Sequence, residues 1–149
     1  MKTKILFFIS LIFIQCDSES HETKLVNDFV KEVLLEVNSP FSSTNKFISY
    51  NVELENNIQI TSLLIEENIK DLYEKLKKNG FEYQIASHQE IKNLKISINF
   101  KYDDLSKVYH LISKGEIITS FIVEDGRIIS FSYNLIKNRN HHITPFILN

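Results

Sequence analysis

Most side chains able to bind a ligand or take part in a reaction lie in the second half of the chain. Tyrosine and histidine recur there in stretches whose apolar residues alternate with polar ones, and the set comprises Tyr83, Tyr102, Tyr109, His110 and Tyr133. Phenol and imidazole groups among apolar strand residues commonly line small-molecule sites. The sequence therefore offers these five side chains as a candidate pocket, with the alternative that the aromatic residues belong to an ordinary core.

The remaining clusters of titratable side chains favour neither catalysis nor metal binding. His141 and His142 are neighbours, so their side chains point apart on an extended chain, and a metal ion would need a third ligand brought in by folding. The carboxylate pairs Asp103-Asp104 and Glu66-Glu67 fall where a turn and a helix surface take acidic residues. We predict no catalytic residue, no metal site and no cofactor.

The charge balance and the cysteine content exclude several functional classes. The chain has 17 basic and 19 acidic side chains and a formal net charge of -2, which provides no basic surface of the kind that nucleic acid binding requires. Its single cysteine rules out an intramolecular disulfide, a zinc ribbon and an iron–sulfur cluster. The common nucleotide-binding, hydrolase and metalloprotease motifs are absent from the sequence.

The first residues have the layout of an export signal. A short positive head, Met1 to Lys4, precedes an apolar run over residues 5–14 that holds a single hydroxyl side chain, that of Ser10. A helix needs about 20 apolar residues to cross a bilayer, so this run is too short for a permanent membrane span. The arrangement is typical of a secretory signal peptide.

Cys16 follows the apolar run by two residues and precedes a polar stretch over residues 17–20. This segment resembles a bacterial lipoprotein signal peptide. The resemblance implies that cleavage leaves Cys16 as the first mature residue and that acyl chains on it anchor the protein to a membrane. Gln15 and Phe13 depart from the usual pattern, and the alternative is a plain signal peptide cut after Ser20, which would release a soluble periplasmic or secreted protein.

The predicted organisation follows from that signal. It comprises a signal peptide over residues 1–15, the lipidated cysteine and a tether over 16–22, and a single domain over 23–149. The expected location is the bacterial cell envelope, on the periplasmic side or at the cell surface. The anchoring partner is then the membrane itself, contacted through the acyl chains.

Helical periodicity dominates the first half of the domain. Apolar residues between Leu25 and Val37 recur at steps of one, three and four, which predicts an amphipathic helix. A second helix is predicted to begin at Thr61-Ser62 and to end at Asn79-Gly80. The stretch over residues 41–60 is compatible with a helical turn or with a short extended segment.

From Phe81 onward the apolar period changes to two, which indicates strands. Strands are predicted over residues 81–85, 94–102, 108–113, 116–123 and 128–136, with tight turns at Lys114-Gly115 and over 124–127. The opposite face, with Ser130 and Asn134, is predicted to be wet. The buried face of the sheet is expected to consist of Leu94, Ile96, Ile98, Phe100, Phe121, Ile129, Phe131 and Tyr133.

These elements predict an α+β domain with two or three helices packed on a curved antiparallel sheet of four or five strands. This order resembles the NTF2-like, or cystatin-like, cone fold, which implies a pocket or a partner surface at the open end of the cone. We predict a binding or interaction module whose ligand is an unknown protein or a small apolar molecule. The alternative is a small envelope enzyme that uses a Tyr/His/Asp pocket.

Overall fold

The computed structural model describes residues 20–35, 41–49, 58–98, 100–131, 136–137 and 143–144. These residues form an α+β structure in which two α-helices precede a four-stranded antiparallel sheet. The predicted fold class is therefore confirmed, with two α-helices in place of the two or three expected. A short ladder between Ile136–Lys137 and Ile143–Thr144 lies apart from the main sheet.

The first helix, α1, spans His21–Phe29 and begins earlier in the chain than the predicted domain boundary at residue 23. Ser20 caps it, because its side-chain oxygen accepts the backbone N–H of Thr23 at 3.1 Å. A π-helical turn over Val30–Leu34 continues α1, where the N–H of Leu35 donates to the carbonyl of Val30 at 3.0 Å.

The second helix, α2, spans Ile58–Lys78, so it begins before Thr61. Its end matches the prediction, because Gly80 has φ 73° and the N–H of Phe81 donates to the carbonyl of Leu76 at 2.8 Å. This is the left-handed cap that glycine favours. Between the helices, a 3₁₀ helix over Phe41–Lys46 represents the described part of the ambiguous stretch.

The main sheet contains β1 (Gln84–Ser87), β2 (Val108–Ser113), β3 (Glu116–Glu124) and β4 (Arg127–Ser130), in that spatial order. Both predicted hairpins form. Lys114 and Gly115 have φ 51° and 80° in the β2–β3 turn, and Asp125 and Gly126 have φ 48° and 70° in the β3–β4 turn. Positive φ at both central residues suits two-residue hairpins, because such turns match the twist of the strands.

One face of the sheet packs against the helices and forms the main core. Phe29 of α1 lies at its centre, with ring centroids 5.8 Å from Phe47, 5.8 Å from Phe121 and 5.5 Å from Phe131. Leu72 and Leu76 of α2 are fully buried in the same cluster. The helical stripes found in the sequence therefore do face the sheet.

The other face of the sheet is also covered, which contradicts the predicted wet face. Ser130, expected on that wet face, is 0% exposed. The covering chain is part of the long connection between β1 and β2, residues 88–107. Its apolar residues include Ile91, which is buried with Ile112 beneath it. The sheet is thus enclosed between the helices on one side and this connection on the other.

The strand predicted over residues 94–102 is wrong. Of the described residues there, 93–95 form a turn with a left-handed φ of 56° at Lys95, 96–98 have no regular structure, and Phe100 forms an isolated β-bridge. Leu94 is 44% exposed rather than buried, whereas Phe100 is 7% exposed and packs on the sheet. The alternation does mark one buried face, but that face contacts the surface of the sheet and adds no strand to it.

Simple alternation does not predict the face on which Ile129 of β4 lies. A register shift places Ile122 opposite Ser130 and Val123 opposite Ile128, so Ile129 is the extra residue of a bulge. Ile129 packs with the second face, whereas Phe131 belongs to the main core. Tyr133 and Asn134 lie outside the described residues.

Candidate functional site

The structure does not bring the predicted pocket residues together. Tyr109 and His110 are neighbours on β2 and lie on opposite faces of the sheet, Tyr109 in the main core and His110 beneath the β1–β2 connection. The Tyr83 hydroxyl donates to Asn27 Oδ1 of α1 at 3.1 Å. Tyr102 lies on the second face, beside Phe100. Tyr133 is outside the described residues.

A cleft of about 350 Å³ opens at the end of the sheet where α1 begins. The 3₁₀ helix Leu105–Lys107 forms one wall, and its position is fixed because Asp104 Oδ1 accepts the backbone N–H of Ser106 at 3.1 Å. The β3–β4 turn forms another wall. The lining residues are Glu22, Ser106, Lys107, Tyr109, Val123, Glu124, Asp125 and Gly126. We call this space the rim cleft.

A charged pair with a phenol partner lies at the rim cleft. Lys107 Nζ lies 3.0 Å from Glu124 Oε1, and the Tyr102 hydroxyl donates to the same oxygen at 2.7 Å. Hydrogen bonds from Tyr102 and then from Lys107 lower the pKa of Glu124, and the bond to Glu124 raises the pKa of Lys107. Burial, followed by the bond to Glu124, raises the pKa of Tyr102 to about 12. All three groups therefore keep their usual protonation states at neutral pH.

The buried wall of the rim cleft is Tyr109, which is 6% exposed. Burial raises the pKa of its phenol. Three carboxylates, those of Glu22, Glu124 and Asp125, face one ammonium group, that of Lys107. The lining is therefore mostly polar and carries an excess of negative charge. This suits a polar ligand with a positive group better than an apolar one.

Tyr83 lines a separate, smaller cleft of about 200 Å³ at the opposite end of β2. Ser113 closes one side, since its hydroxyl donates to the carbonyl of Glu82 at 2.6 Å. The β2–β3 turn, Lys114-Gly115, completes the lining. Two of the predicted pocket tyrosines, Tyr83 and Tyr109, thus face two different clefts.

Sequence reasoning missed the partner of His110. His88 Nδ1 lies 3.1 Å from His110 Nε2, and His110 Nδ1 lies 2.8 Å from the Ser120 hydroxyl oxygen. His110 is 0% exposed and His88 is 8% exposed. Burial lowers the pKa of His110 to about 3, with a smaller contribution from His88. Burial and then Lys92 lower the pKa of His88.

No signal in the sequence pairs these two histidines. His88 precedes the long connection, and the antiparallel register that sets Ala86 opposite His110 is what brings its ring near β2. The serine–histidine–histidine chain has the order of an activated nucleophile. Ser120, however, is 2% exposed on a strand between two covered faces, so a substrate does not reach it.

Within the part of the chain that the structure describes, no cluster of three or more His, Cys, Asp or Glu side chains is placed to hold a metal ion. None of the described helices combines the length and the apolar character that crossing a membrane demands.

Comparison with known proteins adds no relative. The chain matches no protein-family model, no curated protein and no solved structure.

Proposed function

We propose that the protein is an exported, lipid-anchored binding module of the bacterial cell envelope, and that its rim cleft takes a small polar ligand or a polar group of a partner protein. The observation that carries this proposal is the position of Ser20. This residue caps α1, lies two residues before Glu22, which lines the rim cleft, and follows Cys16 by four residues. A chain of that length spans at most about 14 Å. The cleft would then lie close to the anchoring membrane.

The contacts of Ser20 favour cleavage before Cys16 over cleavage after Ser20. The Ser20 hydroxyl accepts the N–H of Thr23 at 3.1 Å and lies 3.0 Å from the Thr23 hydroxyl. Cleavage after Ser20 would remove this cap and place a positive α-amino group at the N-terminus of α1. The helix dipole disfavours a cation there. Processing at Cys16 keeps the cap within the mature chain.

Replacing Ser20 by Ala in the mature chain should lower the free energy of unfolding by about 1 kcal/mol, within a range of roughly 0.5–2 kcal/mol. The change leaves the N–H of Thr23 without its side-chain acceptor and removes the contact with the Thr23 hydroxyl. Urea denaturation of both proteins measures the difference. Ser97→Ala, at an exposed position, is the control and should change stability by less than about 0.5 kcal/mol. Equal stability of Ser20→Ala and the wild type would show that the cap contributes nothing.

Replacing Cys16 by Ser tests the anchor. We expect the wild type to incorporate a labelled fatty acid and to fractionate with membranes, and the Cys16→Ser variant to do neither. The physical reason is that two or more acyl chains give durable anchoring, each buried methylene contributing about 0.8 kcal/mol. Mass spectrometry of the mature N-terminus identifies the cleavage site directly.

Ser18→Leu is the matched control for that experiment. It removes one member of the small-residue pair, Ser18 and Ser20, that ordinary signal peptidase would need, and it leaves Cys16 in place. Under the lipoprotein proposal, labelling and fractionation stay as in the wild type. A soluble wild type that begins at His21, with cleavage blocked by Ser18→Leu, would refute the anchor.

Binding at the rim cleft can be tested by NMR with a fragment library. Small organic amines should shift the amide signals of Ser106, Lys107 and Gly126, and carboxylates of matched size should not. Glu22→Gln should weaken the effect of the amines, because it removes one of three carboxylates from the lining. Glu116→Gln, at the other end of β3, is the control. Equal responses to amines and carboxylates would contradict a cation-selective cleft.

We also propose that the domain has the NTF2-like cone fold. Its support is the order of elements, with helices first, and the packing of one sheet face on α1 and α2. An experimental structure that includes residues 132–149 tests it. A continuation of the sheet beyond β4 that curves around α1 would support the cone, and a chain that packs away from the sheet would contradict it.

A further inference from the structure

The second face of the sheet is covered by one segment, residues 89–102, which we call the cover segment. Its described residues, 89–98 and 100–102, begin with a 3₁₀ helix over Glu90–Lys92 and contain no further regular helix or strand. Phe100 packs there with Val108, Ile122 and Ile129 of the sheet. Ile91 packs with Ala86 and Ile112. Two small apolar clusters therefore hold the cover segment on the sheet.

These two clusters are separate from the main core. The main core is built by α1, the π-helical turn, α2 and the helix-facing side of the sheet, and no residue of the cover segment belongs to it. The two ends of the β1–β2 connection are held independently. His88 donates its backbone N–H to Val108 at 2.8 Å, and Asp104 caps the 3₁₀ helix before β2. The cover segment can therefore open as a local unit while the helix–sheet core persists.

The histidine pair lies directly under this cover segment. The Phe100 ring is edge-on to His110, with centroids 6.0 Å apart, and lies 6.4 Å from His88. The two histidine rings are 5.3 Å apart between centroids. His88 keeps 8% of its surface exposed, so solvent reaches the pair from the His88 side. Phe100 thus shields the buried pair of imidazole rings from solvent.

Protonation of both rings would break the hydrogen-bond chain. Between two neutral imidazoles, one N–H donates to one lone pair, and the second ring then bonds Ser120 in the same way. A proton on each ring would set two N–H groups face to face at 3.1 Å. A single proton keeps the bond but places a cation in a site shielded by Phe100 and apolar residues, which is costly. Protonation of one ring or of both therefore favours an arrangement in which the rings are exposed to water.

The charged groups around the pair add to this effect. On the cover segment, Lys92 acts on His88 and disfavours its protonation, and Glu90 is directed to the backbone N–H of Ser87 at 2.6 Å. Lys95 and Lys101 of the same segment are exposed. On the sheet, β3 presents the neutral hydroxyl of Ser120, and Ser130 of β4 is also neutral. The described elements packed on the pair therefore supply no anion in contact with either ring.

We propose that residues 89–102 form an acid-sensitive cover, which leaves the sheet when the His88–His110 pair takes up protons and so exposes the apolar second face. The exposed surface would consist of Val108, Ile112, Ile122 and Ile129, which the closed cover buries. For an exported protein, external acidity would thus control whether an apolar sheet face is presented.

Hydrogen exchange measured by mass spectrometry between pH 7.5 and 4.5 tests the proposal on the mature chain. After correction for the intrinsic pH dependence of exchange, opening of the peptide over 89–102 should increase about tenfold per pH unit below about 6.5 for each ring that titrates. The peptide over 117–123, in the central strand β3, should open far less than the 89–102 peptide at every pH. Binding of a hydrophobic dye should rise in parallel.

Three variants separate protonation from simple loosening. His88→Gln keeps an amide able to bond His110 and removes one of the two titrating rings, so it should lower the slope of the 89–102 peptide from up to about a hundredfold to about tenfold per pH unit. Lys92→Gln removes a charge that lowers the pKa of His88 in the closed protein, so it should reduce the total acid-driven increase in opening, whereas Lys101→Gln, on the same segment, should not. Ile98→Ala, which removes an uncharged apolar contact of the cover segment, should increase opening at every pH and leave its slope unchanged.

Two results would overturn the proposal. One is an exchange rate of the 89–102 peptide that does not depend on pH in the wild type. The other is equal protection of the 89–102 and 117–123 peptides at every pH, because the acid-sensitive unit would then be the whole domain. A wild-type slope retained by His88→Gln would equally exclude the pair as the sensor.

Discussion

Replacing Phe29 by Ala is expected to lower the free energy of unfolding by about 3–5 kcal/mol. Phe29 is 0% exposed and its ring contacts those of Phe47, Phe121 and Phe131. These rings come from α1, from the chain after the 3₁₀ helix, and from the sheet, so one side chain joins three parts of the fold. The variant loses the transfer energy of the ring and leaves a cavity that its neighbours fill only partly.

A loss of this size is a large fraction of the 5–15 kcal/mol that stabilises a typical domain. Urea denaturation followed by circular dichroism measures it. The control is Leu63→Ala on α2, where the side chain is 60% exposed, and it should cost less than about 0.5 kcal/mol. If Phe29→Ala and Leu63→Ala were equally stable, the aromatic cluster would not be the centre of the core.

The second large effect expected is a loss of stability in weak acid. Burial lowers the pKa of His110 to about 3, below its ordinary value of 6.5. The unfolded chain therefore binds a proton below about pH 6.5, whereas the folded chain does not until about pH 3. The contribution is complete above pH 6.5 and is lost as the pH falls toward 3. Between pH 7.5 and 5, this one ring should cost about 2 kcal/mol.

The window above pH 5 separates the histidines from the carboxylates, whose ordinary pKa values lie near 4. Urea unfolding at pH 7.5, 6.5, 5.5 and 5.0 gives the slope. His110→Gln should be less stable at pH 7.5, because the site is fully buried, but its stability should depend less on pH. His21→Gln, exposed at the start of α1, should keep the wild-type slope. A wild type with constant stability over this window would contradict the burial of a neutral pair.

The sequence alone determined the elements whose signals lie in residues close to one another along the chain. The apolar stripe of α2 and the left-handed cap at Gly80 both appear in the structure, because helix periodicity and the φ requirement of the cap depend on neighbouring residues only. The turns at Lys114-Gly115 and Asp125-Gly126 followed in the same way. These features suffice for the α+β class and for the β2–β3–β4 meander.

Tertiary structure decided which residues pack against each face of the sheet. Alternation between Leu94 and Tyr102 showed an extended chain with one buried side, but period two does not distinguish a hydrogen-bonded strand from a coil laid across a sheet. The bulge at Ile129 likewise changed the face of a residue without changing the pattern around it. Consequently Ser130, a small polar residue at an apparently outer position, is fully buried.

The candidate sites depended on tertiary structure most of all. The rim cleft joins the first turn of α1 to the end of β3, and the pair of His88 and His110 joins residues on either side of the long connection. Contacts between residues so distant in sequence are fixed by strand register and by packing, and neither is encoded in residue spacing. The sequence could name Tyr109 and His110 as chemically capable, but only the fold placed them on opposite faces of one strand, one facing a cleft and the other a buried partner.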